Sequence, residues 1–241
     1  MRNFKGRIRR ALRHPLYTAK ALAHDLLGID ERFLASVTNS SPRELRSFLN
    51  EPFRDPEFAR YLRQCEPHLQ AAFHPGNDPY AKKVLLQYAI TRAVKPDLIV
   101  ETGVASGVSS TYLLTACRLN GRGRVCSIDI DNGEYLPPGK FTGWMVPEDL
   151  RANWTLLLGD SKIVLPRLLA QLGAVDIFIH DSSHTYEHMK FEFELSYPYI
   201  RSGGLLLSDD ANFNVAFEEC VKSFRPARAR VIRNVGVMNK P

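Results

Sequence analysis

Asp181, Asp209 and Asp210 stand just beyond two apolar runs, Val175–Ile179 and Leu205–Leu207. Runs of that length read as strands buried on both faces, so the acids close strand ends. If the two strands are neighbours, three carboxylates meet and repel one another unless a cation compensates. Oxygen ligands suit a hard divalent ion such as Mg²⁺. Capping of a helix that starts near Val215 explains one of Asp209 and Asp210, but not all three acids. His180, His184 and His188 recur every four residues. A zinc reading of them is disfavoured, because H-E-x-x-H is absent and His180 belongs to a strand end.

A second candidate site lies upstream, in Asp97–Ser109. Leu98, Ile99 and Val100 make a short apolar run, Glu101 ends it, and Gly103 and Gly107 follow. Strand, glycine turn and helix form the first unit of a nucleotide-binding α/β fold. The spacing is E-x-G-x-x-x-G rather than the G-x-G-x-x-G of dinucleotide sites. An acid at that point repels phosphate and attracts a cationic ligand. That favours S-adenosylmethionine, with its sulfonium and α-amino group, over NAD. Asp129, after the next strand, can accept both ribose hydroxyls or cap a helix. Asp160-Ser161, after the third, can meet the adenine, or Ser161 can cap the helix that follows.

The elements that must hold these residues alternate. Strands are expected at Leu98–Val100, Arg124–Ile128, Trp154–Leu158, Val175–Ile179 and Leu205–Leu207, the last entered through a turn at Gly203-Gly204. Ala229–Ile232 and Val235–Met238 close the chain. Helices are expected at Tyr80–Val94, Ser109–Cys117, Ile163–Leu172, Thr185–Tyr197 and Val215–Phe224. Alternation of this kind implies a mostly parallel sheet with right-handed crossovers. Polar residues then collect at the carboxyl ends of the strands, the edge where open α/β sheets bind ligands. Upstream, Ser41-Pro42-Arg43-Glu44 reads as a capped helix start and Asp55-Pro56-Glu57 as another. The break at His74–Pro79 marks a boundary between an N-terminal helical arm or cap, residues 1–79, and the α/β domain, residues 80–241.

Composition narrows the class. The 241 residues can bury a core unaided, and no run approaches a membrane span or a secretory h-region. Four scattered cysteines without C-x-x-C spacing suit a reducing, cytoplasmic setting. The net charge is +6, but seven of the 32 basic residues and none of the 26 acids lie in residues 1–20. The body is therefore close to neutral, which argues against a nucleic-acid partner. The first stretch is amphipathic, with Phe4, Ile8 and Leu12 among Arg and Lys. Two readings stand: it packs on this domain or on a second subunit of a homo-oligomer, or it lies on an anionic membrane surface as a peripheral contact.

The motifs V-E-T-G-V-A-S-G-V-S-S, S-I-D-I, L-G-D-S, H-D-S-S-H-T-Y and L-S-D-D together resemble class I S-adenosylmethionine-dependent methyltransferases. The likeness runs from about Tyr80 to Met238. It is strongest to the bacterial branch of macrocin-type O-methyltransferases and cephalosporin hydroxylase-like proteins, related to catechol O-methyltransferase. The resemblance implies a Rossmann-like, mostly parallel seven-stranded sheet with an antiparallel C-terminal strand, plus the N-terminal helical extension. It implies Mg²⁺ on Asp181, Asp209 and Asp210, and His184 as general base. It places Glu101, Gly103, Ser109, Asp129 and Ser161 at cofactor contacts, with Asp160 beside them. The activity implied is Mg²⁺-dependent O-methylation of a hydroxyl on a small molecule, such as a sugar or glycoside. The long loop Asn132–Pro147 and residues 1–79 match no motif and would shape the acceptor pocket. The rivals are another reaction on the same fold, as the cephalosporin hydroxylase-like label warns, and a non-catalytic partner that uses the basic arm for assembly.

Overall fold

A computed structural model describes residues 29–70 and 82–241. The basic arm and the break at His74–Pro79 lie outside the described residues. Three helices come first: α1 (Ile29–Thr38), α2 (Pro42–Arg54) and α3 (Pro56–Gln70). The start of α2 is the expected capping box, with Ser41 and Glu44 each bonding the other's backbone N–H. Then follow α4 (Lys82–Val94), β1 (Leu98–Thr102), α5 (Val108–Asn120), β2 (Arg124–Asp129) and β3 (Trp154–Leu158). The chain continues through α6 (Ser161–Leu172), β4 (Val175–His180), α7 (Tyr186–Ser196), β5 (Ile200–Ser208), α8 (Ala216–Phe224), β6 (Arg228–Ile232) and β7 (Val235–Asn239).

The strands form one seven-stranded sheet of order β3-β2-β1-β4-β5-β7-β6. Neighbours from β3 to β5 run parallel, and β7 is antiparallel to both β5 and β6. The strand pleat explains why the central runs are apolar at every position. In β1, Ile99 points to a layer containing Ile90, Leu113 and Leu114 of α4 and α5. Leu98 and Val100 point to the opposite layer, with Leu165, Met189, Phe193 and Phe217 of α6, α7 and α8. Both faces are covered, as a parallel sheet requires.

The helices of residues 29–70 share this core. Leu34 and Leu45 pack in the same cluster as Ile99 and Ile177. Phe58 and Leu62 of α3 join Tyr88, Tyr112 and Met145. The fifth strand differs from its expected form. It runs unbroken from Ile200 through Gly203 and Gly204. The two glycines sit at a register shift against β4, not in a turn. A Cβ at Gly204 would come 2.7 Å from the Asp176 carbonyl oxygen, so the irregularity is where the strand needs glycine.

Candidate functional site

The order β1-β4-β5 sets the carboxyl ends of three parallel strands side by side. Backbone bonds tie them together: Asp181 N–H donates to the Thr102 carbonyl, and Asp209 N–H to that of His180. After β1 the chain turns through Gly103 (φ +86), Ala105 (φ +46) and Gly107 (φ +85) before α5 begins. A Cβ on Gly103 would lie 1.9 Å from the Asp181 carbonyl oxygen. Gly103 therefore lets the β1 loop pass against the β4 end, and it couples the two candidate sites. No side chain caps α5.

The acids of the first loop are engaged from within. Glu101 is fully buried. It accepts from the hydroxyls of Ser109, Ser110 and Ser127. Burial pushes its carboxyl up even though these donors favour the charge. Glu101 and Ser109, both expected at the cofactor, face each other in the structure, and together they brace the start of α5. Asp129 is half-buried and clamps the loop. One oxygen accepts from Val104 and Ala105 N–H at 2.7 and 2.9 Å, the other from Asp131 N–H at 2.8 Å. Asp160 caps α6 through Lys162 N–H at 2.8 Å. Ser161 is therefore the first helical residue rather than the cap, and its hydroxyl lies 3.0 Å from His188 Nε2. Exposed Ile130, Leu158 and Ile163 surround the ends of β2 and β3.

At the second site, Asp181, His184 and Asp209 offer ligand atoms that all lie within 4.8 Å of one another. Asp210, the third acid expected there, is not in this group. Its backbone takes a positive φ of 46°, and its carboxylate accepts from the Asn234 side chain in the β6–β7 turn. The third ligand atom in reach is His184 Nε2, 3.9 Å from Asp181. That nitrogen is buried without a hydrogen-bond partner. Burial and the nearby His180 lower the imidazole's pKa, against the pull of Asp210 and Asp209. It is held as a neutral base.

Two further groups carry no signal in sequence spacing. Lys83 reaches in from α4, with Nζ 2.5 Å from Asp209 and 3.3 Å from Asp181. Burial raises the Asp181 carboxyl well above the usual range, and the adjoining Asp209 adds to this against Lys83. Burial acts on Asp209 in the same direction, but Lys83 and the bond from Asp181 prevail and its carboxyl falls below the usual range. Beneath these residues Glu192, fully buried, accepts from Thr102, Ser182, His180 Nδ1 and His188 Nε2. Burial opposes its charge, yet the histidine bonds win and hold the carboxyl well below the usual range. So His180 and His188 share one buried carboxylate. Phe213, 71% exposed, has its ring centroid 6.2 Å from that of His184.

A mostly parallel seven-stranded sheet with one reversed strand near its edge, and a glycine loop after β1, define the class I methyltransferase fold. Residues 100–211 match the family described as a methyltransferase domain. Within the chain, 58 residues are 38% identical to the demethylmacrocin O-methyltransferase of Streptomyces fradiae, covering 23% of this chain and 15% of that protein. This match spans far less than two thirds of that relative's length. Among solved structures, the methyltransferase PaMTH1 of Podospora anserina, bound to SAH, superposes with a TM-score of 0.54 at 12% identity, over 75% of this chain and 87% of that one. An O-methyltransferase from Bacillus cereus in complex with SAH gives 0.53 at 13% identity, over 75% and 91%. Residues 100–211 are thus similar to a methyltransferase domain, and the chain shares the fold of these solved methyltransferases. No described helix is long and apolar enough to cross a membrane, and all four cysteines are free and buried.

Proposed function

We propose that this protein is an S-adenosylmethionine-dependent O-methyltransferase that acts on a hydroxyl of a small molecule. The observation that carries this reading is the convergence of Asp181, Asp209 and an unpartnered His184 Nε2 on the strand ends beside the Gly103–Gly107 loop. The cofactor would supply the methyl group from its sulfonium. The loop residues fit such a ligand. Asp129 retains a half-exposed carboxylate for ribose hydroxyls, and the apolar side chains Ile130, Leu158 and Ile163 are exposed where an adenine would lie. The uncapped start of α5 suits the carboxylate of the amino-acid moiety.

Asp181 and Asp209 also fit a divalent ion: their carboxylates, in mutual reach, offer hard oxygen donors, with the His184 imidazole beside them. Bound there, Mg²⁺ would orient acceptor oxygens and make their protons more acidic. His184 would take the acceptor proton as the methyl group arrives, because a neutral imidazole is matched to that task near pH 7. The atom that would take the proton is the unpartnered Nε2, which must then stay beside the ion rather than ligate it. Exposed Phe213 next to His184 offers an aromatic face to the acceptor, which suits the apolar face of a sugar ring as well as a flat ring. A sugar or glycoside acceptor accords with the local match to demethylmacrocin O-methyltransferase, and a reducing, cytoplasmic setting belongs to the same proposal. Calorimetry with S-adenosylmethionine, with and without Mg²⁺, followed by a methyl-transfer screen over sugars, glycosides and catechols, tests the reading. No binding of the cofactor under either condition defeats it.

A further inference from the structure

Two carboxylates at the ends of adjacent strands need a positive charge between them. In this chain the charge is built in. The Lys83 ammonium lies 2.5 Å from Asp209 Oδ2 and 3.3 and 3.5 Å from the two oxygens of Asp181. It arrives from α4, the helix that precedes the sheet's first strand. Its side chain is 27% exposed, so it borders solvent rather than lying in the core. Among the described residues, Lys83 is the cation paired with both acids.

We propose that Lys83 is the resident counter-cation of this site, and that a divalent ion enters only by displacing its ammonium from Asp181 and Asp209. This rests on the reading of those two acids as ion ligands. A Mg²⁺ ion binds carboxylate oxygens at about 2.0–2.1 Å. An ammonium already hydrogen-bonded to the same oxygens would then sit no more than about 5 Å from a doubly charged ion. Like charges that close disfavour one another, so either Lys83 leaves or the ion does not bind. Two consequences follow. The site keeps its shape in the absence of metal, because Lys83 relieves the carboxylate repulsion. Metal affinity is also lower than the ligand set alone would give, because each ion bound must release a salt-bridged lysine.

Titration calorimetry with MgCl₂ alone on the full chain tests this, comparing wild type with Lys83→Met, Lys83→Arg and Asp209→Asn. Removing the charge in Lys83→Met should tighten Mg²⁺ binding by about tenfold or more, the size of effect that a like charge in close contact has on a neighbouring charged group. Lys83→Arg keeps the charge and should not tighten binding, and Asp209→Asn should abolish it. Melting should show the reciprocal effect: Lys83→Met unfolds at lower temperature than wild type in EDTA, and Mg²⁺ restores it. If Lys83→Met fails to fold, Lys83→Gln, which keeps a polar end without the charge, takes its place. Mg²⁺ bound equally or more weakly in the uncharged variant, with Asp209→Asn still abolishing binding, overturns the displacement and leaves the ion site standing. Absence of Mg²⁺ binding in every variant overturns the ion site and the displacement together, while the cofactor titration decides the methyltransferase reading separately.

Discussion

The loop after β1 and the strand ends of β4 and β5 both present acids at the edge where this fold binds ligands, and they use them in opposite ways. At the first, carboxylates are satisfied by the protein itself. Glu101 takes three serine hydroxyls, and Asp129 takes three backbone N–H groups. At the second, Asp181 and Asp209 lean on a lysine borrowed from a distant helix, and His184 leaves a buried nitrogen unpartnered. Glu101, buried and saturated by its own fold, builds a rigid cradle, and Asp129 clamps the loop while its carboxylate stays partly exposed. An acid held by a displaceable side chain is available for chemistry. Beneath the second region, Glu192 gives it the rigid backing that Glu101 gives the first.

The contrast between the two regions is tested most severely at His184. His184→Ala should lower kcat by roughly 10²–10⁴, with little change in affinity for S-adenosylmethionine, and should flatten the acidic limb of the pH–rate profile. A variant that keeps more than half of kcat, where chemistry is rate-limiting, moves the base elsewhere.

Next in size is Glu192→Met, which strips the shared carboxylate from His180 and His188. Loss of one side of a buried ionic network costs about 3–5 kcal/mol, measurable by urea denaturation. The same residue gives a pH signature. Its folded pKa is depressed, so its contribution is present above the unfolded value of about 4.3 and is lost as pH falls below it. Glu192→Gln should therefore lose less stability on acidification than wild type. Equal acid slopes would remove Glu192 as the ionised hub.

Glu101→Ala should act on folding before it acts on binding. It leaves three buried hydroxyls without their acceptor, and a cost of about 1–3 kcal/mol is expected. Glu101 also has the opposite pH sense. Its folded pKa is raised, so its contribution is full below the unfolded value and declines as pH rises through the folded one. A Glu101→Ala protein as stable as wild type but defective in cofactor binding would restore direct contact. The smallest effect is expected for Asp129→Asn, where the loop clamp weakens but the backbone path survives. Cofactor affinity should fall about tenfold, read by calorimetry. No change would confine Asp129 to bracing the loop.

Much of this arrangement is legible in the chain. Apolar runs bounded by polar residues mark the central strands, because burial on both faces demands continuous Val, Ile, Leu and Phe. The glycines at 103 and 107 mark a turn whose backbone must pass close to its neighbours. Strand alternation places Asp181 and Asp209 at one edge, and His184 three residues on. What spacing does not encode is which donor each acid finds. Ser127 reaches Glu101 from the neighbouring strand, Lys83 reaches Asp181 across 98 positions, and a positive φ at Asp210 turns its carboxylate to Asn234. Hydrophobic continuity and turn chemistry are local properties, so the strands, the glycine loop and the acids that close the strand ends could be read from residue order. The division of those acids into saturated and reactive ones arose in the packed molecule, because a hydrogen bond depends on ångström-scale proximity between elements that local patterning does not specify.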